Sequence, residues 1–189
     1  MRFTPLVAAL AVTAVAVPAL ADHTVVQFGP AYGSEIKTLG GHVGVYYGFR
    51  NEGDAEYTTF RFGLEADAFF PKSGDTVDGS SKLSWWDLNG NGHWLFLEPD
   101  EVPVAAYLLL GINVARIGRS FTYDAGVVPR DEDTHAWKLG GNIGGGVEYR
   151  FGSVAIFVEG KYVISSAEQA VGFTGVRITL PKKNRVDGL

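Results

Sequence analysis

The chain has 189 residues, with 16 Lys and Arg against 21 Asp and Glu, a formal net charge of −5 and no cysteine. The missing cysteine excludes a disulfide framework, a thiolate metal centre and a cysteine nucleophile. The acidic balance argues against nucleic acid as a partner, because phosphate binding needs a concentrated basic surface.

Met1 and Arg2 make a positive start, Leu6 to Val17 is apolar except for Thr13, and Pro18-Ala19-Leu20-Ala21 ends the stretch with small residues. This is the three-part secretory signal pattern, with cleavage expected after Ala21. The apolar stretch is too short for the ~20 residues of a membrane-spanning helix. The expected organisation is therefore a leader over 1–21, one domain over 22–180 and a polar tail over 181–189.

From there the chain alternates with period two. Val43, Val45, Tyr47 and Phe49 share one face of their segment, and Phe60, Phe62, Leu64, Ala66, Ala68 and Phe70 share one face of the next. Arg61, Gly63, Glu65 and Asp67 take the opposite side. Farther on, Leu139, Gly141, Ile143, Gly145, Val147 and Tyr149 oppose Lys138, Asn142, Glu148 and Arg150, while Val154, Ile156, Val158, Tyr162 and Ile164 oppose Glu159 and Lys161. This is strand periodicity, not the 3.6 period of a helix. Eight segments follow the pattern: 24–32, 40–50, 57–70, 82–97, 102–116, 136–150, 154–165 and 168–180. The connections at 51–56, 98–101 and 151–153 are short, whereas 71–81 and 117–135 read as longer polar loops. Unequal rims of this kind mark outer-membrane barrels.

Charges occupy one face of each segment and never interrupt the apolar one. A closed barrel makes all its backbone hydrogen bonds internally, as hydrocarbon demands. The predicted fold is therefore an all-β, closed, antiparallel, up-and-down transmembrane β-barrel of about eight strands, apolar outside and polar within. Arg61, Glu65, Asp67, Asp87, Lys138, Glu148, Arg150, Glu159, Lys161 and Arg177 are expected to fill the lumen as a mixed-sign network. Opposite charges in a narrow lumen must pair to offset desolvation, so the network reads as a structural plug. Trp85, Trp86, Trp94, Trp137, Tyr149 and Tyr162 are candidates for interfacial girdles. A soluble periplasmic ligand-binding barrel and a narrow porin-like channel are the alternatives.

One motif points elsewhere. Asp87-Leu88-Asn89-Gly90-Asn91-Gly92, with Glu98 six residues later, satisfies the EF-hand calcium-loop pattern. Its flanks read as strand, and an extended strand spreads those oxygens apart, so no metal is expected there. The histidines at 23, 42, 93 and 135 lack metal-ligand spacing. No Gly-x-Ser-x-Gly elbow is present. None of these histidines opens the His-x-Ser pair of eight-stranded lipid A deacylases. No enzyme activity and no cofactor are expected.

The runs Pro103 to Asn113, Gly140 to Arg150 and Phe157 to Tyr162 resemble the later strands of the outer-membrane β-barrel domain family, the small OmpA-like and OmpX/opacity-type barrels. The resemblance covers essentially all of 22–180 and marks a fold, not an activity. It implies residence in the cell outer membrane, contact with membrane lipid or lipopolysaccharide, and insertion by the barrel assembly machinery. The chain departs from the family in continuing past Leu180 rather than ending on an aromatic residue. The expected function is non-enzymatic, either envelope-structural or surface-interacting, by a monomer. The loop at 117–135 is the expected contact surface, through Arg119, Tyr123, Arg130 and Asp131.

Overall fold

A computed structural model describes residues 21–50, 59–77, 79–97, 103–123 and 132–181. The leader before Ala21, the residues Arg130 and Asp131, and the tail beyond Pro181 lie outside these segments.

Alternating apolar and polar side chains can satisfy both a dry and a wet surface only if the backbone is extended, and the described residues are nearly all strand. Eight strands form: β1 (His23–Gly33), β2 (Thr38–Arg50), β3 (Thr59–Thr76), β4 (Gly79–Leu97), β5 (Val104–Tyr123), β6 (Glu132–Phe151), β7 (Val154–Ile164) and β8 (Gln169–Pro181). Each pairs antiparallel with the next, and β8 returns to β1 from His23↔Pro181 to Gly33↔Val171, closing the barrel. Closure removes the sheet edges that lipid could not hydrogen-bond.

The alternation survives intact in three dimensions. Along β7, Ala155, Phe157, Glu159, Lys161 and Val163 are buried while every residue between them is exposed. Outward positions form a continuous apolar belt that includes Phe62, Leu64, Leu108, Leu110, Ile112, Ile143, Val147 and Ile156. Leu110 is 64% and Ile112 62% exposed, an exposure of large apolar side chains that a water-soluble exterior does not sustain over so wide a band. Within the belt the side facing the lumen carries the charges. Lys82 and Arg116, at the outer ends of the segments expected at 82–97 and 102–116, stand on the outward face and not on the inward one. An apolar inside with a charged outside, as in a soluble barrel, is the reverse of this arrangement.

Inward-facing glycines make room for large inward side chains. A Cβ on Gly146 would sit 2.3 Å from the Tyr107 hydroxyl, and one on Gly63 would sit 2.7 Å from the Tyr46 ring. Each tyrosine thus crosses the lumen over a neighbouring strand that has no side chain to obstruct it.

The strands differ in length, and here the structure departs from the expected loops. β1 and β7 have 11 residues each, but β3 to β6 have 18, 19, 20 and 20. A tilted strand needs only about 9–11 residues to cross a bilayer. Of the segments 71–81 and 117–135, expected as polar loops, residues 71–76, 79–81, 117–123 and 132–135 are therefore strand. β3 runs to Thr76 and β4 starts at Gly79, while β5 runs to Tyr123 and β6 starts at Glu132. Lys72↔Leu83↔Arg119↔Thr134 form one hydrogen-bonded row above the barrel. The physical reason is that water wets both faces there, so polar residues alternate with polar residues and the period-two signal vanishes while the backbone pairing continues. A register shift between Phe69 and Lys72 marks where β3 leaves the barrel wall.

The raised sheet stands on the rim opposite His23, Pro181 and the turn at 152–153, where Gly152 takes a positive φ of 65°. Outer-membrane barrels keep short turns on the periplasmic rim and larger structures outside. The raised sheet accordingly marks the outer rim.

Candidate functional site

The lumen is the densest collection of chemistry in the molecule, and it has two layers. The layer nearer the chain ends centres on Glu148 of β6. Arg61 of β3 donates to it as a fork, Nη1 to Oε2 at 2.8 Å and Nη2 to Oε1 at 2.9 Å. Arg177 of β8 adds Nη1 to Oε2 at 2.6 Å, and Arg150 adds Nε to Oε1 at 2.7 Å. Arg177 also donates to Gln27 Oε1 at 2.7 Å, Tyr107 Oη at 2.8 Å and Glu159 Oε2 at 2.9 Å. Its guanidinium lies 4.6 Å from the Tyr107 ring centre and 4.3 Å from that of Phe157. A planar guanidinium that both forks and stacks uses what arginine has and lysine lacks.

The second layer lies toward the outer rim and centres on Lys161 of β7. Its ammonium donates to Glu65 and, at 2.8 Å, to Asp67 Oδ2. Tyr46 Oη donates to Glu65 Oε2 at 2.6 Å, and Asn91 Nδ2 donates to the same oxygen at 3.1 Å. The Gln27 amide lies 2.7 Å from His42 Nε2, and His42 Nδ1 lies 2.8 Å from Asp67 Oδ1. With Gln27 Nε2 as donor, the imidazole accepts at Nε2 and donates from Nδ1 to the carboxylate. Asn89 donates to Asp67 at 3.0 Å and accepts at Oδ1 from Asn113 and Asn142 at 2.8 and 2.9 Å. Between the layers His93 is sandwiched by the Tyr46 and Tyr107 rings, with centroids 4.4 and 4.7 Å away.

Buried apolar clusters lie toward both ends of this polar core. Ile36, carried by the turn between β1 and β2, is fully buried with Ala31, Phe69, Trp85, Ala115, Phe157, Val171 and Phe173, and Leu83, Ile117 and Ala167 pack against them. At the opposite end Leu95, Ala105 and Tyr107 form a second buried cluster.

Of the ten residues expected in the lumen network, Arg61, Glu65, Asp67, Glu148, Arg150, Glu159, Lys161 and Arg177 make ion pairs with one another. Asp87 and Lys138 face the lumen but do not meet. The register Asp87↔Ala115↔Lys138 places a small residue between them. Asp87 is buried and accepts at 2.8 Å from Trp85 Nε1, whereas Lys138 is half-buried and has no ion-pair partner among the described residues. Gln27, His42, Tyr46, Tyr107 and Asn113 join the network although charge alone did not single them out. Their position on the inward parity of their strands was the available signal.

Residues 87–92 of the calcium-loop match are β4 strand, with Asp87, Asn89 and Asn91 inward and Leu88, Gly90 and Gly92 outward, and Glu98 lies outside the described residues. A different group, His42, Glu65 and Asp67, offers three ligand atoms within 4.8 Å of one another. The Lys161 ammonium already bonds both carboxylates there and supplies the cation.

Arg119 and Tyr123 of the expected contact surface lie on the part of β5 that rises above the rim. Their register neighbours place them on the face turned over the barrel mouth, with Lys72 and Phe121. Arg130 and Asp131 fall outside the described residues.

No protein-family model matches the chain. No curated protein matches it either. Solved structures do. The attachment invasion locus protein Ail of Yersinia pestis, in complex with the heparin analogue sucrose octasulfate, aligns with a TM-score of 0.58 at 12% identity, covering 85% of this chain and 99% of Ail. A major outer membrane protein from Thermus thermophilus aligns with a TM-score of 0.60 at 10% identity, covering 84% and 99%. Neisserial surface protein A aligns at 0.50 with 15% identity, covering 84% and 97%. The architecture of this chain is that of the small eight-stranded outer-membrane barrels, and its lipid-facing belt sets it in the outer membrane.

Proposed function

We propose that the protein is a non-enzymatic outer-membrane barrel whose filled lumen does not conduct and whose raised sheet is a contact surface for partners outside the cell. The observation that carries this reading is the continuation of β3 to β6 as paired strands well beyond the rim. Strand length beyond what a bilayer requires serves the space outside it. A rigid sheet also presents side chains with less ordering cost on binding than a flexible loop does.

The lumen supports the non-conducting part. An eight-stranded barrel has room for side chains and little more. Ion pairs of Arg61, Lys161 and Arg177 cross it, and apolar clusters lie at both ends. The face over the barrel mouth supports the contact part. It carries Lys72, Arg119, Phe121 and Tyr123, with the Phe121 and Tyr123 rings edge to face at 4.6 Å. Cations beside aromatic rings suit an anionic, sugar-like partner. Ail, with the same fold, has been seen with a polysulfated sugar.

Two measurements on the folded chain test the reading. In planar bilayers it should pass no current under a salt gradient. Discrete single-channel steps would replace the non-conducting reading with the narrow channel. In titration with sucrose octasulfate as probe, binding should weaken at least tenfold in Lys72→Gln/Arg119→Gln, as expected when charge-assisted hydrogen bonds are lost. Absence of binding to the native chain would remove the anionic contact face.

A further inference from the structure

The belt gives way to the polar exterior in an ordered way on the outward face of β4, β5 and β6. Four successive rows can be read from the register. Leu88↔Val114↔Leu139 is apolar, and Trp86↔Arg116↔Trp137 lies above it. Next come Ser84↔Gly118↔His135 and then Lys82↔Ser120↔Asp133. An arginine therefore stands on the lipid-facing side, level with the tryptophans of the outer girdle.

Three features make this more than a girdle. The indoles of Trp86 and Trp137, from strands either side of Arg116, approach edge to face at 5.3 Å, leaving the arginine half-buried between them. Arg116 has no carboxylate partner among the described residues, unlike the arginines of the lumen. Directly above it Gly118 forms a floor over which two polar groups lean. A Cβ there would meet Ser84 Oγ at 2.6 Å and His135 Nδ1 at 2.9 Å. The hollow bounded by Arg116, Ser84 and His135 holds the Arg116 guanidinium; the Ser84 hydroxyl donates to the Gly118 carbonyl at 3.3 Å, and Lys82 and Asp133 share the row above. Below, the belt recedes at Gly90 and Gly92 into an apolar groove of about 840 Å³ bordered by Phe62, Leu64, Leu110 and Ile143.

We propose that this face of β4–β6 binds a phosphate-bearing lipid of the outer leaflet, its phosphate on Arg116 and His135 and an acyl chain in the groove at Gly90 and Gly92. Charge complementarity selects the occupant. The site opens toward lipid at the level of the headgroups, where the abundant anion is lipid phosphate, and a guanidinium matches phosphate as a fork. Tryptophans at that depth hold the apolar part below and the polar part above. The site is on the opposite side of the sheet from Lys72 and Arg119, so it stands or falls separately from the contact face. It rests only on the membrane placement of the belt.

Native mass spectrometry of the full folded chain released from detergent tests the proposal, with bisphosphorylated lipid A and its dephosphorylated form as probes. The phosphorylated lipid should be retained at least tenfold more than the dephosphorylated one. Arg116→Gln should remove about tenfold of that preference, the worth of a charge-assisted hydrogen bond. Lys37→Gln, an exposed cation on the β1–β2 turn away from β4–β6, should leave it unchanged. Lys82→Gln, at an exposed position, gives an independent variant and should lower retention severalfold. Equal retention of the two lipids overturns the proposal. So does a Lys37→Gln loss as large as that of Arg116→Gln, which would mean diffuse attraction without a site.

Discussion

Arg177→Met should lower the unfolding free energy by about 3–5 kcal/mol, read as a shift of the urea midpoint in detergent or vesicles with unchanged slope. The methionine can occupy the space between the Tyr107 and Phe157 rings, so lost packing is a small part of the effect. The main part is electrostatic. Arg177 is the cation that serves Glu159 at 2.9 Å, and it shares Glu148 with Arg61 and Arg150. Removing it leaves the Glu159 carboxylate buried without its direct counter-charge, and Gln27 Oε1 without a donor. A second substitution, Glu159→Gln, should recover part of the loss, because it removes the charge that the first substitution strands. If the single variant loses less than about 1 kcal/mol, the lumen is wet enough to solvate a bare carboxylate, and the filled-barrel account fails.

Leu110→Arg should cost about 2–4 kcal/mol in vesicles, the range for a cation near the bilayer midplane of a barrel. Leu110 faces outward in the middle of the belt, opposite Gly92 and Ile143 in register. The same substitution on a water-exposed apolar side chain usually stays within about 0.5 kcal/mol. The two environments therefore predict effects that differ severalfold. An unfolding midpoint unmoved by Leu110→Arg would mean that this face meets water, and the soluble barrel would be the better description.

The fold was legible because the two solvents of a membrane barrel write opposite requirements on adjacent residues. Val154 to Ile164 needed only parity to place Glu159 and Lys161 inside. The pairing within the lumen was not legible in the same way. Arg61 finds Glu148 across 87 positions of sequence, and Lys161 finds Asp67 across 94. Such partners follow from register and closure, which single strands do not encode. Lys138 illustrates the limit. Parity puts it inside, but only the register reveals Ala115 between it and Asp87. Neutral members such as Gln27 and Tyr46 carried no charge to draw attention, although their parity was correct. The raised sheet was missed for the opposite reason: Lys72 to Thr76 and Ser80 to Lys82 are polar on both faces, so they look like loop until their backbone partners are known.

Which face meets lipid is the claim on which the barrel, the proposed plug and both proposed binding surfaces depend. Trp85 and Trp94 lie on the same strand with opposite facing, Trp85 buried under the outer mouth of the lumen and Trp94 exposed in the belt. Two variants that each retain one of these as the sole tryptophan, with the others replaced by phenylalanine, can be folded into vesicles of lipids brominated along their acyl chains. Bromine quenches only indoles that it can approach. The arrangement described here predicts strong quenching of Trp94 and little of Trp85. Quenching of Trp85 with Trp94 spared, or of neither, would contradict it.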